Sequence, residues 1–90
     1  MHFEWDPDKD KKNLRKHGVS FKEASSVFYD ALAVTGADPD HSEGEERLIT
    51  FGVSSSGRLL VVAHTDRGDA VRIINARVAT QRERYIYEEG

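Results

Sequence analysis

The 90-residue chain is long enough for one small domain with a thin hydrophobic core, and we expect a single domain over residues 1–90. The absence of cysteine excludes disulfides and thiolate metal sites and is typical of a protein of the reducing cytoplasm. A net charge of −3 argues against an even coat of positive charge, and no apolar run is long enough for a membrane span or a signal peptide.

The first part of the chain predicts a short strand followed by a polar helix. Residues 3–5 can form the strand. Residues 6–8 combine an N-cap aspartate, a proline at the first helical position and an acid near the positive end of the helix dipole. The helix should end at His17, before a left-handed Gly18. Because Leu14 is almost its only apolar residue, we expect this helix to lie on the surface, with its lysines forming a solvated face.

A second helix should begin immediately afterwards. Ser20 and Glu23 form a capping box, S-x-x-E. The apolar residues that follow recur at helical spacing, namely Phe21, Ala24, Val27 and Phe28. The pattern therefore predicts a short helix over residues 21–28.

Beyond Asp30 the hydrophobic period changes from near four to two, which is typical of strands. We predict strands at residues 31–36, 47–53, 58–65 and 70–77. A polar loop over residues 37–46 separates the first two strands, and tight turns join the others. Thr80 and Glu83 form a second capping box, which should open a last helix over residues 81–89.

The order of these elements predicts an α+β domain. It has a short N-terminal strand, two helices, an antiparallel meander of three to four strands and a C-terminal helix. Tight hairpins require antiparallel neighbours, so we expect a twisted antiparallel sheet with the helices on one face. The other face would then be free for solvent or a ligand.

Charge is distributed unevenly along the chain. Residues 1–46 carry eleven acidic and six basic side chains, whereas residues 47–84 carry three acidic side chains and seven arginines. These arginines are either ordinary solvated charges or an arrangement for a polyanion. Arg72 and Arg77 have opposite parity on their strand, so they can serve one site only if a bulge intervenes or the strand end bends round an edge.

The sequence lacks the motifs of the common nucleotide-, metal- and acyl-transfer enzymes, and its four histidines have no metal-ligand spacing. We therefore expect no metal and no cofactor. His64 ends one face of a central strand, where it is either a packed histidine or an acid–base group.

Three sequence features in this order resemble the BrnT family of bacterial type II toxins. They are W-D with N-x-x-K-H-G-V-x-F, E-R before the second long strand, and R-I-I-x-A-R-x-A-x-x-x-E-R-x-x-Y near the end. The resemblance covers nearly the whole chain. It implies a RelE-like fold, an endoribonuclease activity that halts translation, and a cognate BrnA-like antitoxin. That antitoxin would be a ribbon-helix-helix DNA-binding protein that forms a hetero-oligomer with the toxin.

Metal-independent RNA cleavage needs a base for the 2′-hydroxyl, an acid for the departing 5′-oxygen and cations for the phosphorane. The resemblance, together with side-chain chemistry, implies catalytic roles for Arg72, Arg77, His64 and Tyr87, and RNA binding by Arg58 and Arg67. The alternative is a non-catalytic module that binds nucleic acid or protein with the same arginine-rich sheet face. Such a module needs the arginines but neither His64 nor a tyrosine.

Overall fold

A mixed sheet with helices on both sides of it forms the framework of the protein. The computed structural model describes residues 1–38 and 46–89. Its elements in chain order are β1 (His2–Glu4), α1 (Pro7–His17), α2 (Phe21–Ser25), a 3₁₀ segment (Ser26–Tyr29), β2 (Val34–Ala37), β3 (Leu48–Val53), β4 (Leu59–Arg67), β5 (Ala70–Val78) and α3 (Gln81–Glu89). Most of the predicted loop at residues 37–46 lies outside the described residues. No described helix is long and apolar enough to cross a membrane.

The sheet has the strand order β1-β5-β4-β3-β2. Strands β2 to β5 pair antiparallel, as the hairpins predicted. Strand β1, however, pairs parallel with β5, so the prediction of an all-antiparallel sheet was wrong. The connection between these two parallel strands is long, since residues 5–69 contain both N-terminal helices and strands β2 to β4.

Two predicted boundaries were wrong for local reasons. The helix predicted over residues 21–28 tightens into the 3₁₀ segment after Ser25, where the hydroxyls of Ser25 and Ser26 each donate to a carbonyl three residues back at 2.6 Å. The strand predicted from residue 31 begins only at Val34. The Asp30 carboxylate accepts from the backbone N–H of Leu32 at 2.9 Å and holds a turn there.

The main core lies on the face of the sheet that α1 and α2 cover. Its buried members come from the turn before α2, from α2, from the 3₁₀ segment and from strands β4 and β5: Val19, Phe21, Ala24, Val27, Leu60, Val62, Ile73 and Ala76. The start of α3 instead contacts Arg77, which pairs with Val61 and so points to the opposite face. The prediction that all the helices lie on one face of the sheet was therefore wrong.

Helix α1 is attached to the sheet by a polar side chain. Asn13 is only 6% exposed. Its amide donates to the carbonyls of Val19 and Ala76, both at 2.8 Å, and accepts from the Ala76 N–H at 3.1 Å. Strand β1 pairs with β5 only as far as Arg72, so the edge of β5 at Ala76 has no strand neighbour there. The Asn13 amide replaces that neighbour, whereas Leu14 remains 52% exposed.

Candidate nucleic-acid interface

A β-bulge in β5 places Arg72 and Arg77 on the same face of the sheet. Ala63 pairs with Asn75, but the next residue of β4, His64, pairs with Ile73, which leaves Ile74 as an extra residue. Arg72 then lies opposite Thr65 and Arg77 opposite Val61. Thr65 and Val61 have the same parity on β4, so both arginines point to one face. Of the two arrangements that the sequence allowed for a shared site, the bulge is the one present.

Arg77 is held in a fixed orientation by α3. Its Nη1 and Nη2 donate to the two carboxylate oxygens of Glu83 at 2.6 and 2.7 Å. This bidentate contact is the main cause that lowers the pKa of Glu83 to about 2. Glu83 also accepts from the Thr80 N–H at 2.9 Å, which confirms the second capping box. The Arg77 side chain as a whole remains 39% exposed.

Arg72 lies at the other end of β5. Its partner Thr65 is four residues from Val61 on β4, which at about 3.3 Å per residue separates the two arginines by about 13 Å along the strand. Its side chain is 38% exposed, and its nearest acidic partner is Glu4, with an N–O distance of 3.9 Å. A contact of that length between exposed groups holds the guanidinium only weakly. The neighbouring Thr65 has a buried hydroxyl with no hydrogen-bond partner in the described part of the chain. Arg72 is therefore freer to turn toward a ligand than Arg77.

Tyr87 lies one helical turn beyond Glu83 and is anchored to the end of the 3₁₀ segment. Its hydroxyl donates to Asp30 at 2.6 Å, and that carboxylate also accepts from the Val53 N–H at 2.8 Å. The Asp30 carboxylate is the main cause that raises the pKa of Tyr87 to about 12. The same hydrogen bond lowers the pKa of Asp30. At neutral pH this pair is a protonated phenol donating to a carboxylate.

His64 is separated from the arginines. It pairs with Ile73 on the face covered by the helices, is 1% exposed, and packs edge-on against Phe28 with ring centroids 4.8 Å apart. Its Nδ1 bonds Asp66 at 2.9 Å and its Nε2 bonds the Thr50 hydroxyl at 2.8 Å. The imidazole thus links the buried Thr50 hydroxyl to the half-exposed Asp66 carboxylate, and its acid–base role stays a prediction.

The burial of His64 predicts an acid-sensitive fold. Burial lowers its pKa, against an ordinary value of about 6.5, so the unfolded chain binds this proton more readily than the folded one. The stability contribution is fully present above about pH 6.5 and is lost as the pH falls through the lower folded value. We expect the urea concentration at the unfolding midpoint to decrease as the pH is lowered from 7.5 to 5. A His64→Gln variant should lose much of that pH dependence.

The partly exposed His17 provides the control for this experiment. A His17→Gln variant removes one imidazole outside the core and shows what the loss of a histidine does by itself. The contributions of Glu23 and Glu83, whose pKa values are lowered to about 2, are lost as the pH falls from near the ordinary value of 4.5, so they act mainly below the measured range and equally in all variants. A wild-type midpoint that stays constant from pH 7.5 to pH 5 contradicts the prediction.

Arg58 and Arg67 are placed differently with respect to the shared face. Arg58 follows the β3–β4 turn and donates through Nε to Glu23 at 3.0 Å and through Nη2 to the Gly18 carbonyl at 2.9 Å. This contact ties the turn to the start of α2 and lowers the pKa of Glu23 to about 2. Arg67 is exposed at the end of β4. It lies two residues beyond Thr65 and pairs with Ala70, so its parity on β4 places it on the face of Arg72 and Arg77. The contacts of Arg58 tie the turn to α2, and roles for Arg58 and Arg67 in RNA binding stay predictions.

A groove that the sequence had not indicated runs between α1 and the outer edge of β5. Its volume is about 380 Å³. It is lined by five side chains of α1 and three of β5: Lys9, Lys12, Asn13, Lys16, His17, Ile74, Asn75 and Arg77, with Asn13 at its base. We call it the α1–β5 groove. The three lysines fall at spacings of three and four residues, a helical pattern that is present in the sequence.

This geometry defines a small α+β domain whose last strand presents basic side chains on one face and at one edge, a surface suited to a polyanion. A family model described as "Ribonuclease toxin, BrnT, of type II toxin-antitoxin system" matches residues 5–83. The chain therefore belongs to the BrnT family of ribonuclease toxins, as the sequence motifs predicted.

A solved structure agrees with this assignment at the level of fold. The chain is similar to the 1.1 Å crystal structure of the Brucella abortus ribonuclease toxin BrnT, with a TM-score of 0.65 and 24% identity. The match covers 90% of this chain and 99% of that one. No match was found among curated proteins. The predicted likeness to RelE stays a prediction.

Proposed function

We propose that this chain is a toxin that cleaves RNA by metal-independent acid–base chemistry and thereby stops translation. The observation that carries the proposal is the bulge at Ile74, which gives Arg72 and Arg77 one common face. Two guanidinium groups on one surface can bind phosphates of a single strand, each through a planar pair of donors. Membership of the BrnT family supplies the reaction class.

In this scheme the arginines stabilise the negative charge of the transition state, and the tyrosine supplies the proton of the leaving group. RNA supplies its own 2′-hydroxyl nucleophile, and in this scheme water takes the proton of that hydroxyl, so the protein needs no activated serine or cysteine. We assign to Arg72 and Arg77 the stabilisation of the crowded phosphorane. We assign to Tyr87 the protonation of the departing 5′-oxygen, since its raised pKa of about 12 keeps the proton on the hydroxyl at neutral pH. His64 supports the sheet in this scheme.

The role of Tyr87 is tested by a Tyr87→Phe variant. We expect RNA cleavage to fall by about 100-fold, because the acid is lost. The stability should fall by only about 1 kcal/mol, because one hydrogen bond to Asp30 is lost. Cleavage of a labelled RNA and urea unfolding measure the two effects. Tyr85→Phe is the matched control, since Tyr85 is 64% exposed and should change neither. A Tyr87→Phe protein that cleaves at the wild-type rate excludes Tyr87 as the acid.

Expression of the chain without an antitoxin tests the function as a whole. We expect induced cells to stop growing and their RNA to be fragmented, and the purified protein to cut RNA in the presence of EDTA. Purified protein that binds RNA without cutting it supports instead the alternative, a non-catalytic binding module.

We propose further that the toxin is cytoplasmic and is neutralised by a cognate BrnA-like antitoxin of the ribbon-helix-helix class. A partner that blocks the proposed site must cover an arginine-rich surface, which favours an acidic or amphipathic helical segment. Co-expression with the adjacent gene should restore growth and yield a hetero-oligomer on purification. Growth that stays arrested, with no complex formed, contradicts this partner.

A further inference from the structure

We propose that the α1–β5 groove binds the backbone of the RNA substrate next to the reacting phosphate. The inference rests on the proposed function and adds to it a binding surface outside the arginine face. Its cations are the lysines that the sequence suggested were only a solvated face.

The lysines form a single row on the side of α1 that borders β5. Lys9, Lys12 and Lys16 lie three and four residues apart, so they occupy one helix face over about 10 Å of axis at about 1.5 Å per residue. The Asn13 amide fixes this face beside Ala76 through its three hydrogen bonds to the backbone. The row therefore has a defined position relative to β5.

The positive charges of the three lysines are not offset by a carboxylate of any described residue, whereas the charge of the neighbouring Arg77 is offset by Glu83. No acidic side chain lines the groove, and Lys9, Lys12 and Lys16 form no ion pair with any described residue. Arg77, by contrast, is already bound by both oxygens of Glu83. Unpaired cations attract a polyanion more strongly than cations whose charge an adjacent carboxylate offsets.

The groove is continuous with the arginine face. Asn75 and Arg77 line the groove, and both also pair with residues of β4 whose side chains lie on that face, Ala63 and Val61. A strand of RNA can thus pass from Arg72 across Arg77 and continue along the lysines. Arg77 lies at the junction of the two surfaces.

The lining favours RNA over a protein partner. Ile74 is the one aliphatic residue among the described side chains that line the groove, and the remainder are lysine, arginine, amide and imidazole groups. A bound protein helix would need apolar anchors in a pocket of its own, which the described lining does not offer. A phosphate backbone needs only the row of positive charges.

The test compares two double variants with the same change in net charge. Lys12→Gln with Lys16→Gln removes two groove lysines, and Lys11→Gln with Lys22→Gln removes two lysines outside the groove. Each purified protein is titrated with a fluorescent 2′-O-methyl oligoribonucleotide, which lacks the nucleophile and cannot be cut. We expect the groove variant to bind about tenfold more weakly at 0.1 M salt. The slope of log K against log salt should be smaller by about 1.4, or about 0.7 per lost contact.

The outcomes separate the groove from the reaction. Equal binding by the two double variants, or no binding by the wild type, overturns the groove. Loss of binding in the groove variant alone supports it, whether or not the wild type cuts unmodified RNA. An absence of cutting counts against the proposed function only. If both proposals hold, the groove variant should show a raised KM for unmodified RNA and a nearly unchanged kcat.

Discussion

An Arg77→Ala variant is expected to lose RNA cleavage by about 100- to 1000-fold, the usual cost of removing one group that stabilises charge in a transition state. Arg77 is the residue common to the arginine face and the α1–β5 groove, and its guanidinium is held rigidly by Glu83. A pre-oriented cation stabilises the phosphorane without first having to be positioned. Initial rates on a labelled RNA at saturating substrate measure the effect.

Two controls separate catalysis from structure. Glu83→Gln breaks the ion pair from its other side, so it costs the same structural contact but leaves the cation in place. It should retain cleavage within about tenfold of wild type if Arg77 acts on the phosphate. Arg82→Ala removes an exposed arginine of α3 and should change nothing. An Arg77→Ala protein that is folded and cleaves like Glu83→Gln shows that Arg77 only joins α3 to the sheet.

An Asn13→Ala variant is expected to lose about 3–5 kcal/mol of unfolding free energy, a large part of the 5–15 kcal/mol typical of a domain. The substitution leaves three buried backbone groups without partners, two at Ala76 and one at Val19. It also frees α1, which buries no apolar side chain of its own. Urea unfolding at pH 7.5 measures the loss.

Asn75→Ala is the matched control, because this asparagine is exposed on the same strand. We expect it to unfold within about 0.5 kcal/mol of wild type. Equal midpoints for the two variants contradict the proposed anchoring by Asn13. An Asn13→Ala protein too unstable to purify still differs from a normally folded Asn75→Ala and is consistent with the prediction.

Local signals in the sequence predicted most of the elements. Asp6 caps α1 and Gly18 ends it with a φ of 70°, because capping depends on residues only a few positions apart. The parallel strand β1 could not be predicted, since His2 finds its partner at Ala70. Asn13 was missed for the same reason. A polar residue in a charged helix gives no local sign that it completes the edge of a distant strand.

The candidate site was predictable in part. Opposite parity showed that a site shared by Arg72 and Arg77 needed a bulge or a bent strand end, but no residue pattern located a bulge at Ile74. The carboxylates that bind Arg58 and Arg77 lie on helices, so their pairing depends on tertiary packing. The spacing of Lys9, Lys12 and Lys16 was visible, but only the fold shows that this helix face borders β5. The same spacing on a free helix face would be a solvated stripe.

The N-terminal elements pair with residues near the C-terminal end of the chain, and this affects the newly made chain. During synthesis at about 5–20 residues per second, His2 waits several seconds before the ribosome adds Ala70, and Asn13 waits similarly for Ala76. Until then the lysines of α1 have no β5 beside them. Arg77, the junction with the sheet face, has itself not yet been added. A nascent chain surrounded by ribosomal RNA therefore lacks the surface that we propose binds it, and that surface forms only once β5 has been made and has paired.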